Sequence, residues 1–264
     1  RTIRRKETID MFEIGGKTLK SRLFVGTGKL PDYSLIEKMY YEAGVEVFAV
    51  AVRRIGPNTK HTKNVLEYIP NDAIIMVNTS GAQDYKEAVK IAMIGRELTN
   101  SNWVKVEIEK DTKYLFPDSI ETLKACEILV KEGFKVFPYI YPDLNLAKEL
   151  EQIGVEAVMP LGSPIGTNKG IGCEVLLKPI INEIKIPVII DAGIGRPSHA
   201  AKAMEMGADA VLINTAIATS SDPVKMALAF SKAVEAGRLA FEVGLLKEYE
   251  YAQASSPLED FITG

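Results

Sequence analysis

The chain has 264 residues, 47 % of them apolar and 25 % charged, a balance that fits a soluble globular protein with a full core. Its net charge of −3 gives no bulk electrostatic case for nucleic acid or an anionic membrane, and no apolar run nears the roughly 20 residues of a membrane span. Residues 1–10 are polar and lack the apolar region of a secretory signal. They are expected to be a disordered lead-in or an added remnant, which leaves 11–264 as one domain.

From there on, short apolar runs alternate with amphipathic helical patterns. A strand is expected at 22–26 and a helix at 32–43, then strand 46–52 and helix 59–68, strand 73–77 and helix 84–98, strand 103–108 and helix 118–131. The second half repeats this with strand 134–139 and helix 143–153, strand 155–160 and helix 173–184, strand 186–191 and helix 197–206, strand 209–213 and helix 222–236. Many strands are apolar on both faces, as in a parallel sheet covered by helices. Eight strand–helix units predict a (β/α)8 TIM barrel, with a doubly wound open sheet as the competing architecture. Asp118 ahead of Ser119-Ile120-Glu121 reads as a helix N-cap. Gly44, Gly133, Gly154 and Gly207 stand where helices should end.

The two cysteines, Cys126 and Cys173, are far apart and expected in helices, which points to a reducing cytoplasmic compartment. His61 and His199 are the only histidines, so neither a multi-histidine metal site nor a histidine triad is expected. Acid–base work falls to carboxylates, lysine or tyrosine.

In a barrel the active site lies at the C-terminal ends of the strands. Strand 103–108 puts Trp103, Lys105 and Glu107 on one face and Val104, Val106 and Ile108 on the other. A buried ammonium costs several kcal/mol unless something offsets it. The placement suits a lysine that attacks a carbonyl with Glu107 as its acid–base partner; a structural ion pair is the alternative. Burial lowers the lysine pKa and Glu107 raises it, and the sequence leaves that balance open. Asp191 closes the apolar run 186–190, as an acid–base group at the barrel mouth or as a loop-fixing aspartate. Ala192-Gly193-Ile194-Gly195 and Asn214-Thr215 follow strands seven and eight, where small and polar residues near helix starts suit a phosphate. Gly162 is either a third wall of that site or a turn residue. Arg53 and Arg54 end strand two, as an anion fork or as salt-bridge partners of a helix. Tyr139 is a proton donor without a supporting motif.

These residues carry a resemblance. Along 11–258 the chain resembles the thiazole synthases of bacterial thiamine biosynthesis. The matching stretches are Gly26-Thr27-Gly28-Lys29, 48–54 (FAVAVRR), Asn78-Thr79-Ser80-Gly81-Ala82, Val104-Lys105-Val106-Glu107, Ser163-Pro164-Ile165-Gly166, 191–195 (DAGIG) and Asn214-Thr215-Ala216. Pro223 to Met226, Ala236-Gly237-Arg238-Leu239 and Ser255-Ser256-Pro257 also match, whereas 1–10 and 55–68 match poorly. The resemblance implies a transferase on the same barrel, acting on 1-deoxy-D-xylulose 5-phosphate through an imine of Lys105. It implies sulfur from the C-terminal thiocarboxylate of a small sulfur carrier protein and a C–N unit from dehydroglycine. Glu107 and Asp191 fall on the acid–base positions, and Gly162, Ala192, Gly193, Asn214 and Thr215 on the phosphate loops. No cofactor or metal is called for, and a homo-oligomer is expected.

Two other readings share part of this pattern. A sugar-phosphate aldolase would use the same lysine and phosphate loops without a sulfur carrier. A non-catalytic sugar-phosphate binder would form no trappable adduct, and a flavin-binding barrel is a weaker third.

Overall fold

The computed structural model describes residues 11–55 and 64–253. The expected lead-in 1–10, the first part of the second expected helix (59–63), His61 and the stretch Ser255-Ser256-Pro257 lie outside the described residues.

The chain opens on a hairpin that periodicity did not predict, β1 (Phe12–Ile14) and β2 (Lys17–Leu19). Parallel strands follow: β3 (Leu23–Gly26), β4 (Val47–Ala51), β5 (Ile74–Asn78), β6 (Trp103–Val106), β7 (Lys135–Ile140), β8 (Met159–Pro160), β9 (Ile189–Asp191) and β10 (Ala210–Ile213). They pair in the order β8-β7-β6-β5-β4-β3-β10-β9. Bridges Val158↔Val188 and Leu161↔Asp191 bring the two ends of the sheet together. The helices between them are α1 (Ser34–Ala43), α2 (Tyr85–Thr99), α3 (Ser119–Lys131), α4 (Leu144–Ile153), α5 (Glu174–Glu183), α6 (Pro197–Glu205), α7 (Thr215–Ala218) and α8 (Pro223–Val243). The architecture is the (β/α)8 barrel, and the open-sheet alternative is discarded.

Two faces of each strand account for the layers. Leu23, Val25, Phe48, Val50, Val104, Val106, Val136, Val211 and Ile213 point outward into the buried layer under the helices. Phe24, Val47, Met76, Trp103, Phe137, Met159, Ile189 and Leu212 fill the lumen, where Trp103 stacks on Phe137 with ring centroids 4.8 Å apart. The hairpin plugs the N-terminal end of this lumen with Phe12, Ile14 and Leu19. Its turn requires glycine. Gly15 has φ +59°, and a Cβ there would sit 2.3 Å from Trp103 Cζ2. With its lower end closed by apolar side chains, the barrel leaves only its upper end for polar chemistry.

Aspartates start four of the eight α-helices among the described residues by accepting a first-turn amide hydrogen bond: Asp84 from Glu87, Asp118 from Glu121, Asp143 from Asn145 and Leu146, and Asp222 from Lys225. The four helix-ending glycines have φ between +69° and +96°. Three expectations are corrected. Of the helix expected at 59–68, the described part is one 3-10 turn, Val65–Tyr68, capped by Asn64. The strand expected at 155–160 pairs regularly only at Met159–Pro160, because β8 meets β9 through single bridges. The last helix runs on to Val243, since 238–243 hold no breaker before Gly244 and the buried Gly237 packs closely against α6. Cys126 is buried in α3, while Cys173 stands at the N-cap of α5 rather than within it; both are free thiols. Among the described residues no helix is long and apolar enough to cross a membrane.

Candidate active site

A cavity of about 440 Å³ opens at the C-terminal ends of the strands. Lys105, Glu107, Asp191, Asn78, Arg53, Arg54, Lys29, Ala192, Gly193, Asn214 and Thr215 are among the residues that line it.

Lys105 lies at its centre. The alternation of β6 turns it inward, and the parallel register places Asn78 beside it on β5. Lys105 Nζ is 2.5 Å from Asp191 Oδ2 and 3.0 Å from Glu107 Oε2, and it lies 5.4 Å from the centroid of the Tyr139 ring. All three charged residues are buried, at 3–6 % exposure. Burial alone would lower the lysine, but Asp191 and Glu107 more than offset it and hold the ammonium above its ordinary value. The balance left open by the sequence is thus struck by the two carboxylates, and the resting lysine is charged.

The carboxyls differ from one another. Burial pushes Glu107 up, but the Lys105 charge and hydrogen bonds with Glu109, Lys105 and Asn78 bring it down to about 2. Asn78 Nδ2 donates to Glu107 Oε2 at 3.0 Å, and the Glu107 amide donates to Thr79 Oγ1 at 2.8 Å. Burial raises Asp191, and Lys105 only partly offsets this, so its carboxyl sits above its ordinary value. Asp191 also accepts the Ala192 amide.

Glu109 belongs to the same group and was missed. It is buried and lines the cavity. Burial, then the Glu107 charge and a hydrogen bond with Glu107, push it up to about 8. Extending the alternation of 103, 105 and 107 by one more step would have found it.

The β9–β10 side is built from backbone. Ala192 and Gly193 both have left-handed φ, +63° and +75°, which turns the chain sharply after Asp191. A Cβ on Gly193 would come within 2.5 Å of Ser163 Cβ, so glycine is needed there. Ser163 is itself tied down by its hydroxyl, which donates to the Gly170 carbonyl at 2.6 Å. Gly162 is not among the lining residues, and its amide donates to the Asp191 carbonyl at 2.9 Å. The Asn214 side-chain nitrogen faces the Gly28 and Gly26 carbonyls at 2.5 and 3.2 Å, bracing the loop after β3. Lys29, not among the expected site residues, brings a cation to this wall. Its Nζ and Thr215 Oγ1 lie 4.0 and 3.9 Å from the point a Cβ on Gly166 would occupy. On the opposite side, Arg53 Nη2 donates to Ser80 Oγ at 3.2 Å. Neither Arg53 nor Arg54 forms an ion pair among the described residues, so of the two alternatives the salt bridge to a helix is not seen there. The Tyr139 hydroxyl is directed to the Leu115 carbonyl at 3.5 Å, and burial pushes it well up. His199 accepts the Gly195 amide at 3.2 Å and packs against Gly170, a loop-holding role.

Fold and site together define a (β/α)8-barrel enzyme with a carboxylate-held lysine at the centre of its mouth. The family model described as Thiazole biosynthesis protein ThiG matches residues 13–257. The thiazole synthase of Alkaliphilus metalliredigens is 55 % identical over 251 residues, covering 95 % of this chain and 97 % of that one. That of Pelotomaculum thermopropionicum is 53 % identical over 253 residues, covering 96 % and 98 %. The structure of the Amycolatopsis orientalis BexX/CysO complex superposes with a TM-score of 0.80 at 30 % identity, covering 91 % of this chain and 98 % of that one. The chain belongs to the thiazole synthase family of thiamine biosynthesis.

Proposed function

We propose that this enzyme joins 1-deoxy-D-xylulose 5-phosphate, dehydroglycine and sulfur from a carrier-protein thiocarboxylate into the thiazole phosphate unit of thiamine, through an imine on Lys105. The observation that carries the reading is the placement of Lys105 Nζ between Asp191 and Glu107 at the foot of the mouth cavity.

Imine formation needs the neutral amine, and the resting lysine is charged. The nearest acceptor is Asp191, whose raised pKa makes it the better proton holder of the two neighbours. Proton transfer from Lys105 to Asp191 turns an ion pair into a neutral pair and adds no charge to a buried site. The amine attacks the C2 ketone, water leaves, and the imine draws electrons from C3. Glu107, ionised at rest, is the base that takes the C3 proton and returns it at C2, so that the carbonyl moves to C3. The sugar phosphate is held by the loops at Gly193 and at Asn214-Thr215, with Ala192 shaping the turn, Gly162 supporting it from behind and Lys29 supplying positive charge. That clamp presents C2 to the lysine. A partner carrying the sulfur is supported by the BexX structure, which was solved with CysO.

Borohydride trapping with the sugar phosphate, followed by peptide mass mapping, tests this reading. Wild type gives a reduced adduct at Lys105 and Lys105→Arg gives none. An adduct on another lysine, or a full-level adduct in the variant, overturns it.

A further inference from the structure

Glu109 is a buried acid that the steps above do not use. It continues the inward alternation of Lys105 and Glu107 by one step, three residues past the end of β6, is 6 % exposed and opens on the same cavity as Lys105. Its carboxyl, raised by burial, lies against that of Glu107, whose charge raises it further, and beside the Gly81 amide. Two ionised carboxylates are acceptors only, so a hydrogen bond between them requires one proton. Its position follows from the neighbours. Glu107 already faces the Lys105 ammonium and the Asn78 amide, each at 3.0 Å, and these favour its ionised form. Glu109 forms no ion pair among the described residues. Lys110, next in sequence, is turned away to Asp118 at 2.8 Å. Asn78 at the end of β5 and Ser80, Gly81 and Gln83 in the loop after it are uncharged, β7 offers Tyr139, and β9 offers Asp191, a further acid. Arg53, Arg54 and Lys29 share the cavity, but Arg53 is engaged by Ser80 and none of the three forms an ion pair with Glu109 among the described residues.

We propose that Glu109 is the proton reservoir of the site, holding a proton against the Glu107 carboxylate and passing it through Glu107 when a substrate hydroxyl leaves as water. The inference rests on the imine chemistry proposed above. Isomerisation leaves Glu107 ionised, since the proton taken from C3 goes back on at C2. The later loss of water breaks a C–O bond and needs a proton that ionised Glu107 does not have. Glu109 gives its proton to Glu107, Glu107 gives it to the departing oxygen, and the Glu109 carboxylate is reprotonated from water in the cavity. Its pKa of about 8 keeps Glu109 loaded at neutral pH. Acting through Glu107, it is a positioning residue.

Glu109→Gln separates this role from a structural one, because glutamine keeps the size and an N–H donor to Glu107 but has no proton to transfer. The expected variant traps the sugar phosphate on Lys105 at the wild-type level, forms thiazole roughly 10–100-fold more slowly, and lacks the alkaline fall in rate near pH 8 that wild type shows. Wild-type rate with the same alkaline fall overturns the inference, as does loss of trapping in a folded variant. Absence of trapping in wild type itself indicts the proposed function instead. If Glu109→Gln does not fold, infrared difference spectra of the wild-type protein decide. A buried carboxylic-acid carbonyl band should disappear as pH rises through about 8, and a spectrum without it overturns the inference.

Discussion

Asp191 Oδ2 stands 2.5 Å from Lys105 Nζ across the top of the barrel, β9 reaching to β6, and in the proposed mechanism this pair sets how the lysine would lose its proton. Asp191 has an elevated proton affinity because burial outweighs the lysine's pull, whereas Glu107 is held ionised by the same lysine and two further hydrogen-bond donors. One carboxyl is suited to accept a proton from Lys105 and the other to act as a base on carbon.

That division predicts different lesions. Asp191→Asn should slow formation of the first imine, since the charged lysine loses its better acceptor. Glu107→Gln should spare the imine and stall afterwards, with thiazole formation down roughly 10²–10⁴-fold for a missing base. Single-turnover trapping reads the first stage and product assay the second. Equal effects of both variants on both stages would show that the carboxyls do not divide the work.

Much of this arrangement was legible in the sequence where period and position coincide. The count of eight strand–helix units gave the barrel, and the two-residue period of β6 put Lys105 and Glu107 on one inward face. Three features were hidden for physical reasons. The β1–β2 hairpin has strands of three residues, too short for a period, and its role as a plug depends on Trp103 far along the chain. Glu109 lies three residues past the end of β6, where strand pairing has given way to the single bridge Ala82↔Ile108, so an apolar-run criterion stopped short of it. The meeting of Asp191 with Lys105 is a property of barrel closure, and no local pattern encodes it.

The acid groups also set a pH dependence of stability. Glu109 binds its proton more tightly folded, at about 8, than at its ordinary 4.5. Its contribution is full below pH 4.5 and lost as pH rises to 8. Glu107 is lowered from 4.5 to about 2, so its contribution is present above 4.5 and lost as pH falls to 2. Linkage gives up to ~1.4 kcal/mol per pH unit in each window, less where cavity water screens the group. Urea midpoints of wild type should therefore fall between about pH 5 and pH 8, and Glu109→Gln should flatten that slope. Parallel slopes in the two proteins would mean that Glu109 is not protonated in the folded state.

The proposed phosphate wall is best probed away from its glycine. Gly193 has φ +75°, and any side chain there meets Ser163 within 2.5 Å, so a substitution would distort the loop as well as disturb an anion. Asn214 is similarly compromised, because its side chain braces the loop after β3. Lys29 faces the same wall with no ion pair among the described residues, and removing its charge leaves the loops in place. A charged hydrogen bond of about 1.5–3 kcal/mol predicts that Lys29→Gln raises KM for 1-deoxy-D-xylulose 5-phosphate roughly 10–100-fold with little change in kcat, since the contact persists from ground state to transition state. The unphosphorylated sugar provides the control. If Lys29 holds the phosphate, wild type and variant should handle that sugar alike, and the preference for the phosphorylated form should shrink. An unchanged KM, or an equal loss with both sugars, would place the phosphate away from Lys29.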